Sequence, residues 1–244
     1  MLLRERQVEL EETAVIQFEN VSKRFGETVV LDGLSFEVKK GELFVIAGPS
    51  GTGKSVTLKH IVGLVAPDSG TVETRAKRIG YLFQSGALLA WMTIWDNVAL
   101  PLRETTRLTE AEIERKVNEA LAAVGLSDAA EKYPSEISGG MQKRAGLARS
   151  IVLDADVILY DEPTSGLDPV TSLAINRLIA RLNESRGITS VIVTHELPAA
   201  LRMASRILLL MAGRAAFCGS PADFVGSSDP TVVEFVKAMK GEEV

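Results

Sequence analysis

Eight residues, Gly48-Pro49-Ser50-Gly51-Thr52-Gly53-Lys54-Ser55, match the pattern GxxxxGK[ST] at every fixed position and directly follow the apolar run Leu43-Phe44-Val45-Ile46-Ala47. A stretch of this kind binds phosphate. Its glycines let the backbone curl until successive N–H groups point inward at an anion, and the helix that starts near Lys54 adds its positive end. Lys54 is placed to reach the β- and γ-phosphates of a nucleotide, and the Ser55 hydroxyl to hold Mg²⁺. A second apolar run, Val157-Ile158-Leu159-Tyr160, ends in the carboxylates Asp161 and Glu162. Asp161 can hold Mg²⁺ through water, and Glu162 is a candidate general base facing the γ-phosphate.

Such groups need rigid supports. Residues 14–21 alternate apolar and polar side chains, residues 29–38 do so again around an expected turn at Asp32-Gly33, and both read as antiparallel strands ahead of the phosphate loop. Val56, Leu58, Ile61, Val62 and Leu64 follow at helical spacing up to the turn Pro67-Asp68-Ser69-Gly70. Residues 71–86 read as two short strands, the second ending at Phe83-Gln84. From residue 88 to 153 the pattern turns helical. Thr109 and Glu112 form a capping-box pair ahead of Ile113, Val117, Ala120, Leu121 and Val124, and a further helix is expected over 142–153. Strands at 157–160 and 189–194, separated by a helical stretch at 170–185, imply parallel strands with crossover helices. A last helix is expected over 230–240. The expected fold is α/β, with a mixed or parallel sheet, an N-terminal antiparallel β part and an inserted helical part. It forms a single domain over 1–244: an α/β core at 14–86 and 154–227, a helical part at 87–153 and a C-terminal tail at 228–244.

The 244 residues are 46% apolar, enough for a full core, and with only 5% aromatics that core is aliphatic. A net charge of −5 argues against nucleic acid as a partner, since backbone phosphates are gripped by clustered Lys and Arg. Cys218 is the only cysteine, which excludes an internal disulfide and points to a reducing compartment. Residues 1–12 mix charges with short apolar runs and carry no export-type segment. No run approaches the roughly 18 apolar residues that span a bilayer, so work at a membrane requires a partner there.

Ile137-Ser138-Gly139-Gly140-Met141 is similar to the signature LSGGQ of ABC transporter ATP-binding subunits. With the phosphate loop and the run Asp161-Glu162-Pro163-Thr164-Ser165-Gly166-Leu167-Asp168-Pro169, the motifs stand in that family's order over essentially the whole chain. The chain therefore resembles such a subunit, built on a P-loop NTPase core. The resemblance implies ATP hydrolysis with Mg²⁺. It also makes Ser138, Gly139 and Gly140, at a helix start, a second phosphate-binding surface. In the family one subunit's two surfaces do not grip the same nucleotide. A head-to-tail homodimer is implied, each ATP sandwiched between the phosphate loop of one copy and the Ser138 loop of the other. By the same resemblance Phe25 stacks on adenine, Gln84 senses Mg²⁺ and the attacking water, Asp168 lies in a loop that crosses the dimer interface, and His195 contacts the γ-phosphate. Phe25 as plain core and His195 as an ordinary strand-end histidine stand as second readings; His60 is given no role.

The segment FQSGALL at 83–89, DNVALPLRE at 96–104, and Met141 in place of the signature glutamine resemble the branch that serves MCE-type lipid transporters, including the Mla phospholipid system. That branch implies integral membrane permease subunits, an MCE-domain lipid-binding partner and a peripheral position on the cytoplasmic face of a bacterial inner membrane. Trp91 and Trp95 carry two readings: anchors in the groove that receives a permease helix, or core residues at i, i+4 spacing. An importer of another cargo, such as amino acids, is the alternative with the same chemistry. A soluble ABC protein acting on DNA or ribosomes is disfavoured.

Overall fold

The computed structural model describes residues 14–240; the reading made of residues 1–12 and the end of the tail lie outside them. The chain divides into two compact units, one of residues 1–76 and 189–244, the other of residues 77–188.

The first unit opens with two long strands, β1 (Ala14–Phe25) and β2 (Thr28–Lys39), paired antiparallel, and continues through β3 (Leu43–Ala47), α1 (Lys54–Ile61) and β4 (Ser69–Thr74). β1 lies between β2 and β4 in a three-stranded antiparallel sheet. Its inward face holds Ile16, Phe18 and Val21, and Phe18 stacks on Phe36 at 4.5 Å. The turn expected at Asp32-Gly33 is not there. The chain reverses at residues 26–27, and Asp32-Gly33 is a bulge inside β2, where pairing steps from Val21↔Leu34 to Lys23↔Leu31. Gly33 takes φ 65° and donates its N–H to the Ser22 Oγ at 3.0 Å, which makes up for the ladder bond the bulge loses.

The second unit begins at β5 (Ile79–Leu82) and runs through α2 (Ile94–Thr105), α3 (Glu110–Ala123), α4 (Gly139–Ile151), β6 (Val157–Asp161) and α5 (Pro169–Arg186). β5 and β6 pair in parallel. Each helix starts on a side-chain cap: Thr93 for α2, Thr109 with the reciprocal Glu112 bond for α3, Ser138 for α4 and Asp168 for α5. α4 starts three residues earlier than the expected 142, because Ser138 caps it through the N–H of Met141 at 3.3 Å.

The chain then re-enters the first unit through β7 (Thr189–Thr194), α6 (Leu197–Met203), β8 (Arg206–Met211), β9 (Arg214–Gly219), α7 (Pro221–Val225) and α8 (Pro230–Lys240). β3 lies between β7 and β8, parallel to both, and β9 adds antiparallel to β8. β3 and β7 are buried along their whole length, as parallel strands covered on both faces must be. Among the described residues no helix is long and apolar enough to cross a membrane.

Candidate active site

In the first unit the phosphate loop runs from the end of β3 to the start of α1. Gly48 is forced by packing: a Cβ there would lie 2.3 Å from the Leu210 carbonyl oxygen. Gly53, the residue capping α1, takes φ 99°, and a Cβ would come within 2.9 Å of Val30 O and the Leu31 side chain. The loop is drawn around Lys54, whose ammonium donates to the Gly48 and Pro49 carbonyls at 2.8 Å each and is only 6% exposed. Thr52 closes the curl through its hydroxyl to Pro49 O at 2.9 Å. Pro49, Ser50 and Gly51 face solvent, and Ser55 is half-buried at the first turn of α1.

Phe25 ends β1 with half its surface exposed, 5.5 Å below the Lys23 ammonium, so it is not core. His195 is exposed, one residue past β7. His60 is structural: its Nδ1 pairs with Val56 O at 2.7 Å, and its ring is buried against Phe18. Burial lowers its pKa, with the neighbouring Lys23 charge acting the same way.

In the second unit the sequence-predicted residues gather along the ends of β5 and β6 and the start of α4. Asp161 is buried at the end of β6 and accepts the Tyr81 hydroxyl at 3.2 Å. Glu162 follows, half-buried, with φ 47°. That conformation costs a non-glycine residue on the order of 1–3 kcal/mol and needs support. The support is at its carbonyl, which accepts the Ser165 N–H at 3.1 Å and the Lys143 ammonium at 3.3 Å. Gln84 is exposed after β5; its amide donates to Ser165 Oγ at 3.3 Å and its carbonyl accepts from Lys143. Lys143 is 6% exposed, and burial pulls its pKa down against the opposing attraction of Asp161 and Glu162.

Ser138 and Gly139 are exposed at the N-terminus of α4, where the first backbone N–H groups have no carbonyl one turn back to bond. The two glycines differ. A Cβ on Gly140 would lie 2.5 Å from Thr171 Cγ2, so packing on α5 demands glycine. A Cβ on Gly139 would meet only Leu167 at an ordinary 3.7 Å. Asp168 caps α5 by accepting the Val170 and Thr171 N–H groups at 3.0 Å and the Thr171 hydroxyl at 2.5 Å; that hydroxyl and those N–H groups hold its carboxyl below the usual range.

The two tryptophans part company. Trp95 packs within the helical region, donating its indole N–H to Asn118 Oδ1 at 3.2 Å beneath the Arg103 guanidinium. Trp91 is 73% exposed. The loop carrying it is pinned by buried Asn97, whose amide donates to the Leu89, Met92 and Thr93 carbonyls.

Sequence reasoning missed Tyr81, Lys143 and Arg149, the last donating to the Gly86 and Ala87 carbonyls at 2.9 and 2.8 Å. The available signal for Lys143 and Arg149 was their i, i+3 spacing with Gly146 along α4; Tyr81 carried none. Among the described residues no cluster of three or more His, Cys, Asp or Glu could hold a metal.

A glycine loop curled around a buried lysine after a parallel strand, and a carboxylate pair ending another such strand, define a P-loop nucleotide hydrolase. Residues 31–165 match the ABC transporter family. The intermembrane phospholipid transport system ATP-binding protein MlaF of Haemophilus influenzae is 41% identical over 91% of this chain and 90% of its own. The probable ribonucleotide transport ATP-binding protein mkl of Mycobacterium bovis is 40% identical over 92% of this chain and 67% of its own. Among solved structures, the dimeric post-hydrolysis state of the ATP-binding cassette MJ0796 bound to ADP and Pi superposes with a TM-score of 0.77 at 32% identity, covering 84% of this chain and 98% of that one. The chain belongs to the ABC transporter family, as one of its ATP-hydrolysing subunits.

Proposed function

We propose that this subunit energises a phospholipid transporter, working as a head-to-tail dimer on the cytoplasmic face of a bacterial inner membrane with permease subunits and an MCE-domain lipid-binding protein. The 41% identity to a phospholipid-transport subunit over nine-tenths of both chains is the observation that carries the cargo class. The composite dimer is supported by Gly139, an exposed glycine that packing does not require, at a helix end that presents N–H groups to solvent. Its missing side chain is accounted for if a phosphate approaches the backbone there.

In this reading residues 14–86 and 154–227 are the nucleotide-binding core and 87–153 the signature-bearing helical part. Gly48, Pro49, Ser50, Gly51, Thr52 and Gly53 line the phosphates, Lys54 binds their outer oxygens, and Phe25, exposed at a strand end, stacks on adenine. Glu162 takes a proton from water as the water oxygen attacks the γ-phosphorus; the bond to the ADP oxygen breaks, and phosphate and ADP leave. Gln84 orients that water, His195 steadies the γ-phosphate, and Ser138, Gly139 and Gly140 bind it from the partner copy beside the loop of Asp168. Ser55, Asp161 and Gln84 would hold Mg²⁺, which when bound would neutralise the charge developing on the phosphate oxygens. Loss of the γ-phosphate contacts reopens the dimer, and that movement drives the permease.

Co-purification from membranes tests the assignment. Permease and MCE-domain partners with bound phospholipid are expected. A similar identity to the mkl protein supports a second reading, ribonucleotide cargo; nucleotides bound to the transporter without lipid would favour it.

A further inference from the structure

One face of α4 is tied to the catalytic elements of its own unit three times over. Lys143, five residues after Ser138, donates from one ammonium to the carbonyl of Gln84 and to that of Glu162. One turn on, Gly146 sits so close to the Gln84 segment that a Cβ would lie 2.7 Å from Leu82 and 3.1 Å from Gly86 O. One turn further, Arg149 grips the Gly86 and Ala87 carbonyls. These positions, three residues apart, form one stripe of the helix. A shift of α4 at its Ser138 end cannot be absorbed beside Gly146, and so reaches the backbones of Gln84 and Glu162.

We propose that Lys143 is a positioning residue that couples the two ATP sites of the dimer, linking the signature helix that meets the partner's nucleotide to the backbones of Gln84 and Glu162 that serve its own. The inference rests on the composite-dimer reading. Glu162 is where such a tether has most leverage. Its φ of 47° is held through its carbonyl, and a small change there turns its carboxylate. Two-fold use of one ammonium joins the loop that orients water and the residue that deprotonates it. Both therefore respond together when the opposite nucleotide seats against Ser138.

The test uses full-length protein and steady-state ATP hydrolysis. Wild type is expected to show a Hill coefficient above 1. Lys143→Met should lower kcat about 10- to 100-fold, as expected for losing hydrogen bonds from a charged donor, and bring the Hill coefficient to 1. ATP affinity measured in the Glu162→Gln background should change less than about twofold on that scale. Lys143→Arg should recover much of both losses. Lys143→Gln, which keeps a donor and most of the volume, carries the same test should the Met variant not fold. A noncooperative wild type, an unchanged kcat and Hill coefficient, or a parallel fall of affinity and thermal stability without rescue by Arg overturns the proposal. Light scattering of Glu162→Gln with ATP separates the two failures: if no dimer forms, the composite-site reading falls and this inference with it; if the dimer forms and Lys143→Met behaves as wild type, this inference alone falls.

Discussion

The Tyr81 hydroxyl donates to the Asp161 carboxylate at 3.2 Å, and its ring stacks on Phe83 at 4.2 Å. Burial, then the Asp161 charge, raise the Tyr81 pKa, so the phenol remains a proton donor throughout the neutral range. This bond orients the Asp161 carboxylate, the proposed Mg²⁺ ligand. Tyr81→Phe keeps the stacking and removes that restraint. The Mg²⁺ concentration for half-maximal ATP hydrolysis should rise about 3- to 10-fold, in keeping with the loss of one hydrogen bond to a charged group, while the rate at saturating Mg²⁺ stays near wild type. Superimposable Mg²⁺ titrations would remove Tyr81 from the site.

The Lys54 ammonium organises the phosphate loop through the Gly48 and Pro49 carbonyls, and in the proposed mechanism it also meets the phosphate. Lys54→Ala should weaken ATP binding by roughly 10- to 100-fold, the range expected for a lost charge-assisted bond. Equilibrium binding of a fluorescent ATP analogue reads this directly, and an unchanged affinity would contradict the role.

Two adjacent glycines should respond oppositely to the same methyl group. Gly140→Ala meets Thr171, whose hydroxyl is held by Asp168 and cannot swing aside freely. It should destabilise the fold by about 1–3 kcal/mol, as overpacking does. Gly139→Ala meets only ordinary contacts; it should leave the melting temperature close to wild type yet depress ATP-driven dimerisation. Equal stability effects at the two positions would mean the packing distinction is wrong.

Mixing subunits tests shared sites. Ser138→Arg in one copy and Glu162→Gln in the other spoil the same composite pocket and leave the second pocket whole. Mixed dimers should turn over ATP faster than either homodimeric variant, and the Glu162→Gln homodimer should fall at least about 100-fold, the usual contribution of a general base. Additive behaviour of independent monomers is the contrary result.

His60 should make the fold acid-sensitive. Its Nδ1–H donates to Val56 O, and its Nε2 is buried with no hydrogen-bond partner among the described residues, so protonation would place in the core a charge that Asp68 only partly offsets. Its folded pKa lies below the ordinary 6.5 because burial disfavours the charged form. The unfolded chain therefore binds the proton more readily, and stability falls as pH drops through about 6.5. Wild type should lose melting temperature between pH 7.5 and 5.5, and His60→Leu should flatten that slope. An identical slope in both proteins would assign the acid sensitivity elsewhere.

The readings that needed only neighbours along the chain were legible in the residues. The phosphate loop, the capping box at Thr109 and the strand at Thr189–Thr194 rest on spacing, turn chemistry and apolar runs a few residues long. Their physics is local, so the order of residues carries it. The β8–β9 hairpin is not marked in the residues, because β9 is short, partly exposed and built mostly of small side chains, without the alternation that marks a strand. Asp32-Gly33 looked like a turn because those residue types favour one. Within the tertiary structure Asp32 is instead held from outside its own hairpin, by the Arg214 guanidinium at 2.7 Å and by its own N–H to Gly213 O at 3.0 Å.

Sequence alone pointed to the residues proposed to meet a phosphate, a cation and a water molecule. Only the folded chain decided which of them are held and by what: Tyr81 on Asp161, Lys143 on Gln84 and Glu162, Gly140 against Thr171, Trp91 outward and Trp95 on Asn118. Such pairings join positions far apart in the chain. They depend on how a helix face seats against the segments beside it, and no repeat or spacing along a single strand of residues encodes that.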